Sequence, residues 1–166
     1  MFFVSTIFFF VHYLHSTSST TTYSCQSNLG CGCSSNTTTT VGKIVGGENA
    51  ASNTWGWAVS LYINENSLCG GSIISSSWII TAAHCVYGMN ASQVAVSAAT
   101  NELFGLKQWR YASSVVSHPK YDNNTEENDI ALIEVSPPFN MTDPGIAKIC
   151  LPMSTNEDFP PDNSTV

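Results

Sequence analysis

Two polar residues occupy positions where their side chains could transfer protons. His84 follows Thr81-Ala82-Ala83 at the end of a β-rich run, and these small residues leave room for the imidazole to reach a cleft. Imidazole is neutral near pH 7 and can both accept and return a proton. Asp129 directly precedes the apolar run Ile130–Ile133, where an ionised carboxylate needs partners to offset its desolvation. The alternatives are a core histidine bonded to a backbone carbonyl and an aspartate that merely starts a strand.

A third motif, Lys43-Ile44-Val45-Gly46-Gly47, lies upstream of both residues. Its glycines let the backbone bend without Cβ clashes, and an apolar side chain on Ile44 would allow a newly cut amine to be buried. An edge strand followed by a turn would give the same residues. Taken together, the three motifs resemble the chymotrypsin/trypsin-like serine endopeptidases, and the resemblance runs from about Lys43 to Pro152.

The resemblance implies a role for each motif. His84 would be the general base that takes the proton of a nucleophilic serine and delivers it to the leaving amine, and Asp129 would accept a hydrogen bond from its Nδ1–H. Cleavage after Lys43 by a trypsin-like activating protease would free the Ile44 amine. The resemblance also implies a Cys69–Cys85 disulfide and a bond from Cys150 that keeps the cleaved propeptide attached.

The family's nucleophile motif is absent, because Gly-Asp-Ser-Gly-Gly does not occur in the 166 residues. We expect the serine, its oxyanion hole and the substrate pocket in sequence beyond Val166. Ser72, in Cys69-Gly70-Gly71-Ser72, invites assignment as the nucleophile. However, it begins a β-rich run, and the resemblance assigns this segment to a structural strand.

The N-terminus predicts secretion. Residues Phe2–Val11 are almost wholly apolar and Ser16–Ser24 are polar, which is typical of a signal peptide over residues 1–24. The apolar run is about half of the ~20 residues that a transmembrane helix needs; an apolar terminus or uncleaved anchor is the alternative.

The net charge of −7, with five Lys and Arg, indicates no nucleic-acid partner, and we expect no stable membrane insertion.

The cysteines and the glycosylation sequons agree with an oxidising, extracellular location. Beyond the Cys69–Cys85 pair, the four remaining cysteines allow three connectivities, so that Cys150 could pair with Cys25, Cys31 or Cys33. The five sequons begin at Asn36, Asn90, Asn123, Asn140 and Asn163.

Short β-rich runs predict an all-β fold. The six runs are Trp57–Ile63, Ser72–Ile74, Trp78–Ala82, Val94–Ala98, Gln108–Val116 and Ile130–Val135, separated by turn residues that include Gly70-Gly71. They match a six-stranded antiparallel β-barrel over residues 44–153, the first half of the two-barrel chymotrypsin-like fold. Residues 25–43 are expected to form a propeptide with a flexible tether at Ser34–Thr40, and residues 154–166 an inter-barrel linker.

No metal site or cofactor is predicted. His12 and His15 lie in or beside the signal peptide, His118 is typical of a loop, and Cys31-x-Cys33 is a poor zinc motif. The other acids near Asp129, which are Asp122, Glu126, Glu127 and Asp143, are expected to be solvated.

Two functions remain in competition. The first is a secreted trypsin-like serine endopeptidase precursor that acts on protein or peptide substrates through an acyl-enzyme. The second is a non-catalytic serine-protease-like binding or regulatory module, or an inactive gene fragment. An intact His84 and Asp129 favour the first, and the missing serine favours the second.

Overall fold

The computed structural model describes residues 20–22, 30–33, 35, 39–41, 50–64 and 66–152. Strands dominate this part of the chain, with one short α-helix (α1) and one turn of 3-10 helix. The elements are β1 Thr20–Thr22, β2 Thr39–Val41, β3 Ala58–Ile63, β4 Ser67–Ile73, β5 Trp78–Thr81, α1 Ala83–Val86, the 3-10 turn Ala91–Gln93, β6 Val94–Ala98, β7 Gln108–Ser117 and β8 Ala131–Ser136.

Six strands close into a barrel in the order β3-β4-β5-β8-β7-β6. Every neighbouring pair is antiparallel, and β3 closes the ring because it pairs with both β4 and β6. The predicted six-stranded antiparallel barrel is therefore confirmed.

The core lies inside this ring and follows from the period-two alternation of the strands. In β3 the buried positions are Val59, Leu61 and Ile63, and in β8 they are Ala131, Ile133 and Val135. Burying one such aliphatic side chain contributes about 1.5–3 kcal/mol. The alternation that made the strands recognisable in the sequence therefore also places the buried side chains of the barrel core.

Strand β4 is longer than the sequence indicated. From the residue pattern alone the run began at Ser72, with Gly70-Gly71 as turn residues, whereas the resemblance assigned Cys69-Gly70-Gly71-Ser72 to a strand. The strand begins at Ser67 and continues through both glycines. A Cβ on Gly71 would lie 2.8 Å from Ile79 Cγ2. The glycine is needed because β4 and β5 approach closely, so interpreting it as a turn residue was wrong.

Several of the described residues before the barrel make backbone or side-chain hydrogen bonds. Thr39 and Thr40 lie in β2, which pairs antiparallel with β1, a strand inside the predicted signal peptide; this pairing therefore applies only to the chain before that segment is removed. Closer to Cys31, the Gly32 N–H donates to Lys148 O at 2.7 Å and Ser35 Oγ donates to Pro144 O at 2.7 Å. Within the described residues, no helix is both long and apolar enough to cross a membrane.

Asp143 was expected to be solvated, and this was wrong. Its carboxylate accepts hydrogen bonds from the Gly145 N–H (2.8 Å), Lys107 Nζ (3.0 Å) and Gln108 Nε2 (3.1 Å). The Gly145 bond does most to lower the pKa of Asp143; burial opposes it, and the Lys107 and Gln108 bonds assist. The ionised group thereby fastens the segment after β8 to the start of β7.

Replacing Asp143 with Asn should lower the free energy of unfolding by about 1–3 kcal/mol near neutral pH, because hydrogen bonds to a charged group are lost. A depressed folded-state pKa stabilises the fold above the unfolded-state value of about 3.9, and this contribution disappears as the pH falls through the folded-state pKa. The gap between wild type and variant should therefore close below about pH 4. Urea unfolding over a pH series measures it, with Glu102→Gln as control; a pH-independent gap would contradict the assignment.

Candidate active site

His84 is placed by the end of β5. The strand stops at Thr81, whose Oγ1 donates to Gly70 O at 2.8 Å, and Ala83 is fully buried at the start of α1. The next residue must then face outward. The His84 side chain is 53% exposed, so its ring is open to groups arriving from outside the barrel.

Asp129 reaches His84 because β5 and β8 are antiparallel neighbours. Thr81 pairs with Ala131, so the chain continuing after Thr81 runs beside the chain that precedes Ala131. His84 and Asp129, which are far apart in the sequence, are therefore adjacent in the fold.

The two side chains meet at two points. His84 Nδ1–H donates to Asp129 Oδ2 at 2.7 Å, and the His84 backbone N–H donates to Oδ1 at 2.8 Å. The ring hydrogen bond, followed by the backbone bond, lowers the pKa of Asp129, although desolvation opposes them. The carboxylate is therefore ionised at neutral pH and can only accept, which puts a proton on Nδ1. In the neutral form of the imidazole, the lone pair is then on Nε2.

A disulfide fixes the helix that carries His84. Cys85 in α1 is bonded to Cys69 in β4, with a Cα–Cα distance of 6.2 Å, and its Sγ lies 3.4 Å from His84 Nε2. In the part of the chain that the structure describes, these two cysteines and His84 form the one cluster of metal-ligating side chains. Both sulfurs are bonded to each other, so neither offers the thiolate that a metal requires.

An aromatic pair beside the dyad was missed from the sequence. The rings of Tyr87 and Tyr121 lie edge to face with centroids 5.3 Å apart. Burial raises the pKa of Tyr121 above its ordinary value, and the charge of Asp129 adds to this. Tyr87 lies three residues after His84, and this closeness in sequence was the available signal.

The residues that the sequence analysis considered and set aside lie elsewhere, and the sequon residues lie at the surface. Ser72 lies in the barrel wall, where it pairs with Ala58 of β3 and Ile80 of β5. His118 accepts a hydrogen bond from the Lys120 N–H in its own loop. The sequon residues Asn90, Asn123 and Asn140 are exposed.

The structure pairs Cys150 with Cys31, one of the three connectivities the sequence allowed, at a Cα–Cα distance of 5.1 Å. Cys33 is also disulfide-bonded. Several other predicted features lie outside the described residues, namely Cys25, Asn36, the Lys43–Ile44 bond and Asn163.

Comparison with known proteins identifies the family of this barrel. The Trypsin family model matches residues 44–166. Serine protease 56 of Mus musculus is 36% identical over 123 residues, which is 74% of this chain and 20% of that protein. The chain thus spans about a fifth of the length of that relative.

A solved structure gives the same fold. The crystal structure of the scabies mite inactivated protease paralogue S-D1 superposes with a TM-score of 0.50 at 32% identity, covering 58% of this chain and 40% of that one. The chain belongs to the chymotrypsin/trypsin-like serine protease family.

Proposed function

We propose that this chain is the N-terminal part of a secreted serine endopeptidase precursor, and that a serine from outside these 166 residues completes its active site. The observation that carries the proposal is the two-point contact between Asp129 and His84. A family member retained only for binding has no need of an imidazole held in one tautomer with its Nε2 lone pair available.

His84 and Asp129 would act in both halves of peptide-bond hydrolysis. Nε2 takes the proton of the serine hydroxyl as the serine oxygen bonds to the scissile carbonyl carbon. It then gives that proton to the leaving amine as the C–N bond breaks, and water releases the acyl group by the same sequence. Asp129 remains ionised throughout and stabilises the imidazolium, which its lowered pKa supports.

The N-terminal residues would make this chain a zymogen. We assign residues 1–24 to a signal peptide and residues 25–43 to a propeptide removed from the barrel by a trypsin-like protease cutting between Lys43 and Ile44. The barrel would occupy residues 44–153 and the linker residues 154–166. Disulfides and exposed sequon asparagines support an extracellular, glycosylated protein.

Cleavage after Lys43 should leave the propeptide attached. Cys31 is bonded to Cys150, and hydrogen bonds from Gly32 and Ser35 hold the same segment against the barrel. Electrophoresis of trypsin-nicked protein should separate the propeptide only after reduction. Its release without reductant would contradict the tether.

Peptide hydrolysis by the full-length gene product, cut after Lys43, tests the proposal. We expect activity in the wild type and in His118→Ala, and a loss on the order of 10⁴–10⁶ in kcat for His84→Ala, since no other base is placed to accept the serine proton. An inert, well-folded and correctly cut wild type would reject the endopeptidase function.

One observation favours a second candidate, a non-catalytic binding or regulatory module. The superposed scabies mite protein is described as an inactivated protease paralogue, so this fold is found without activity. The same hydrolysis experiment separates the two functions, because a module would stay inert when full-length and cut.

A further inference from the structure

A groove lined by aromatic rings crosses the barrel wall at β3, β6 and β7, and none of its residues belongs to the candidate active site. We call it the aromatic groove; its volume is about 360 Å³ and its principal rings are Tyr62, Phe104, Trp109 and Tyr111. The floor of the groove is formed by a row of residues that crosses three strands. Tyr62, Ala95 and Tyr111 form one cross-strand row, so a small alanine lies between two tyrosines on the outer face.

Three of the rings form a continuous stack. The Tyr62 ring lies between Phe104 and Trp109, with centroid separations of 5.0 Å on each side and tilts of 35° and 33°. Trp109 in turn meets Tyr111 edge to face at 6.4 Å. Such mutual support holds the rings rigidly, so a ligand would lose little free energy in ordering them.

Phe104 is displayed at a conformational cost. Its φ of 61° is unusual for a bulky residue, and its side chain is 70% exposed. Its N–H donates to Tyr62 Oη at 2.6 Å, which ties the strained loop to the stack. Strained residues cluster at functional sites in proteins, and the apolar neighbours Leu103 and Leu106 are also largely exposed.

The polar rim of the groove carries donors, and the hydroxyls of Ser92 and Tyr111, which can donate or accept. The amide oxygens of Asn64 and Gln93 already accept hydrogen bonds, from Gln93 Nε2 and the Asn90 N–H respectively. Among the described residues, nothing accepts from Trp109 Nε1–H or from the Asn64 amide. No described residue lining the groove is charged. These described features suit an uncharged, largely apolar ligand that presents acceptors to the Trp109 and Asn64 donors.

We propose that the aromatic groove binds an uncharged proline-rich peptide segment in the polyproline II conformation. Proline has no N–H, so such a segment presents carbonyl acceptors without donors that would need partners. Its rings pack on aromatic faces, and its backbone is extended before binding, which reduces the entropic cost.

Calorimetric titration of the full chain with a polyproline peptide of about ten residues tests the proposal. We expect saturable binding, and none to a Gly-Ser peptide of equal length, to maltohexaose or to phosphatidylcholine vesicles. Tyr111→Ala should weaken binding about tenfold or more. Val116→Ala removes a similarly exposed apolar side chain outside the groove and should leave the affinity unchanged.

Phe104→Gly separates binding from folding. Glycine adopts φ near 61° without strain, so the melting temperature should not fall although affinity for polyproline drops by about tenfold or more. The proposal is overturned by absent polyproline binding, by equal binding of the Gly-Ser peptide, by full affinity in both groove variants, or by saturable binding of maltohexaose or vesicles in place of the peptide.

Discussion

Replacing Asp129 with Asn should lower kcat/KM of the activated full-length protein by about 10⁴. Asparagine preserves the shape of the side chain, but its NH₂ group can be directed at Nδ1. The proton would then move to Nε2, where a serine needs a lone pair. The 2.7 Å and 2.8 Å contacts to one carboxylate are the reason that so small a change has so large an effect.

Glu127→Gln provides the matched control for Asp129→Asn. It removes a charge from the same loop two residues away, on an exposed side chain that makes no contact with His84 in the described structure. Steady-state hydrolysis should be near wild type for this variant. A loss below about tenfold in Asp129→Asn, or equal losses in both variants, would mean that Asp129 acts only through the general field of the loop.

Removing the Cys69–Cys85 disulfide should have the largest effect on stability among the changes considered for the barrel. Paired alanine substitutions free a loop with a sequence separation of 16, which costs about 3 kcal/mol in the chain-entropy description. Because Cys85 adjoins His84 in α1, hydrolysis by the full-length protein should also fall. Urea unfolding measures the first effect and kcat the second.

The oxidised wild type treated with dithiothreitol gives an independent comparison for the paired variant. Reduction should reproduce its loss of stability, with a further contribution from the Cys31–Cys150 bond. A paired variant that unfolds at the wild-type urea concentration would show that the strand pairing alone fixes α1.

The parts of the fold that were predictable are those encoded locally. Alternation in β3 and β8 reports burial directly. The contact between His84 and Asp129 was expected from the resemblance of their motifs to the family, and local pattern alone does not give it. Strand β4 was underestimated because Gly71 is required by the approach of Ile79, a residue on another strand. A glycine required by a turn and a glycine required by a closely packed neighbouring strand cannot be told apart from the sequence.

The features that were missed depend on closure of the barrel. In the sequence, Asp143 looks like the solvated acids of the β7–β8 loop. Only the hydrogen bonds that it accepts from Lys107 and Gln108 in the folded barrel distinguish it. The aromatic groove likewise needs β3, β6 and β7 side by side. The choice of Cys31 as partner of Cys150 depends on the path of the propeptide, which local spacing does not determine.

The central claim is that His84 and Asp129 activate a serine that lies outside these 166 residues. Labelling the full-length, Lys43-cleaved protein with a fluorophosphonate probe and mapping the modified residue by mass spectrometry tests it most directly. The account predicts one labelled serine, in a Gly-Asp-Ser-Gly-Gly setting beyond Val166, with labelling lost in His84→Ala. Labelling of Ser72, or no labelling of a folded and cleaved protein, would contradict it.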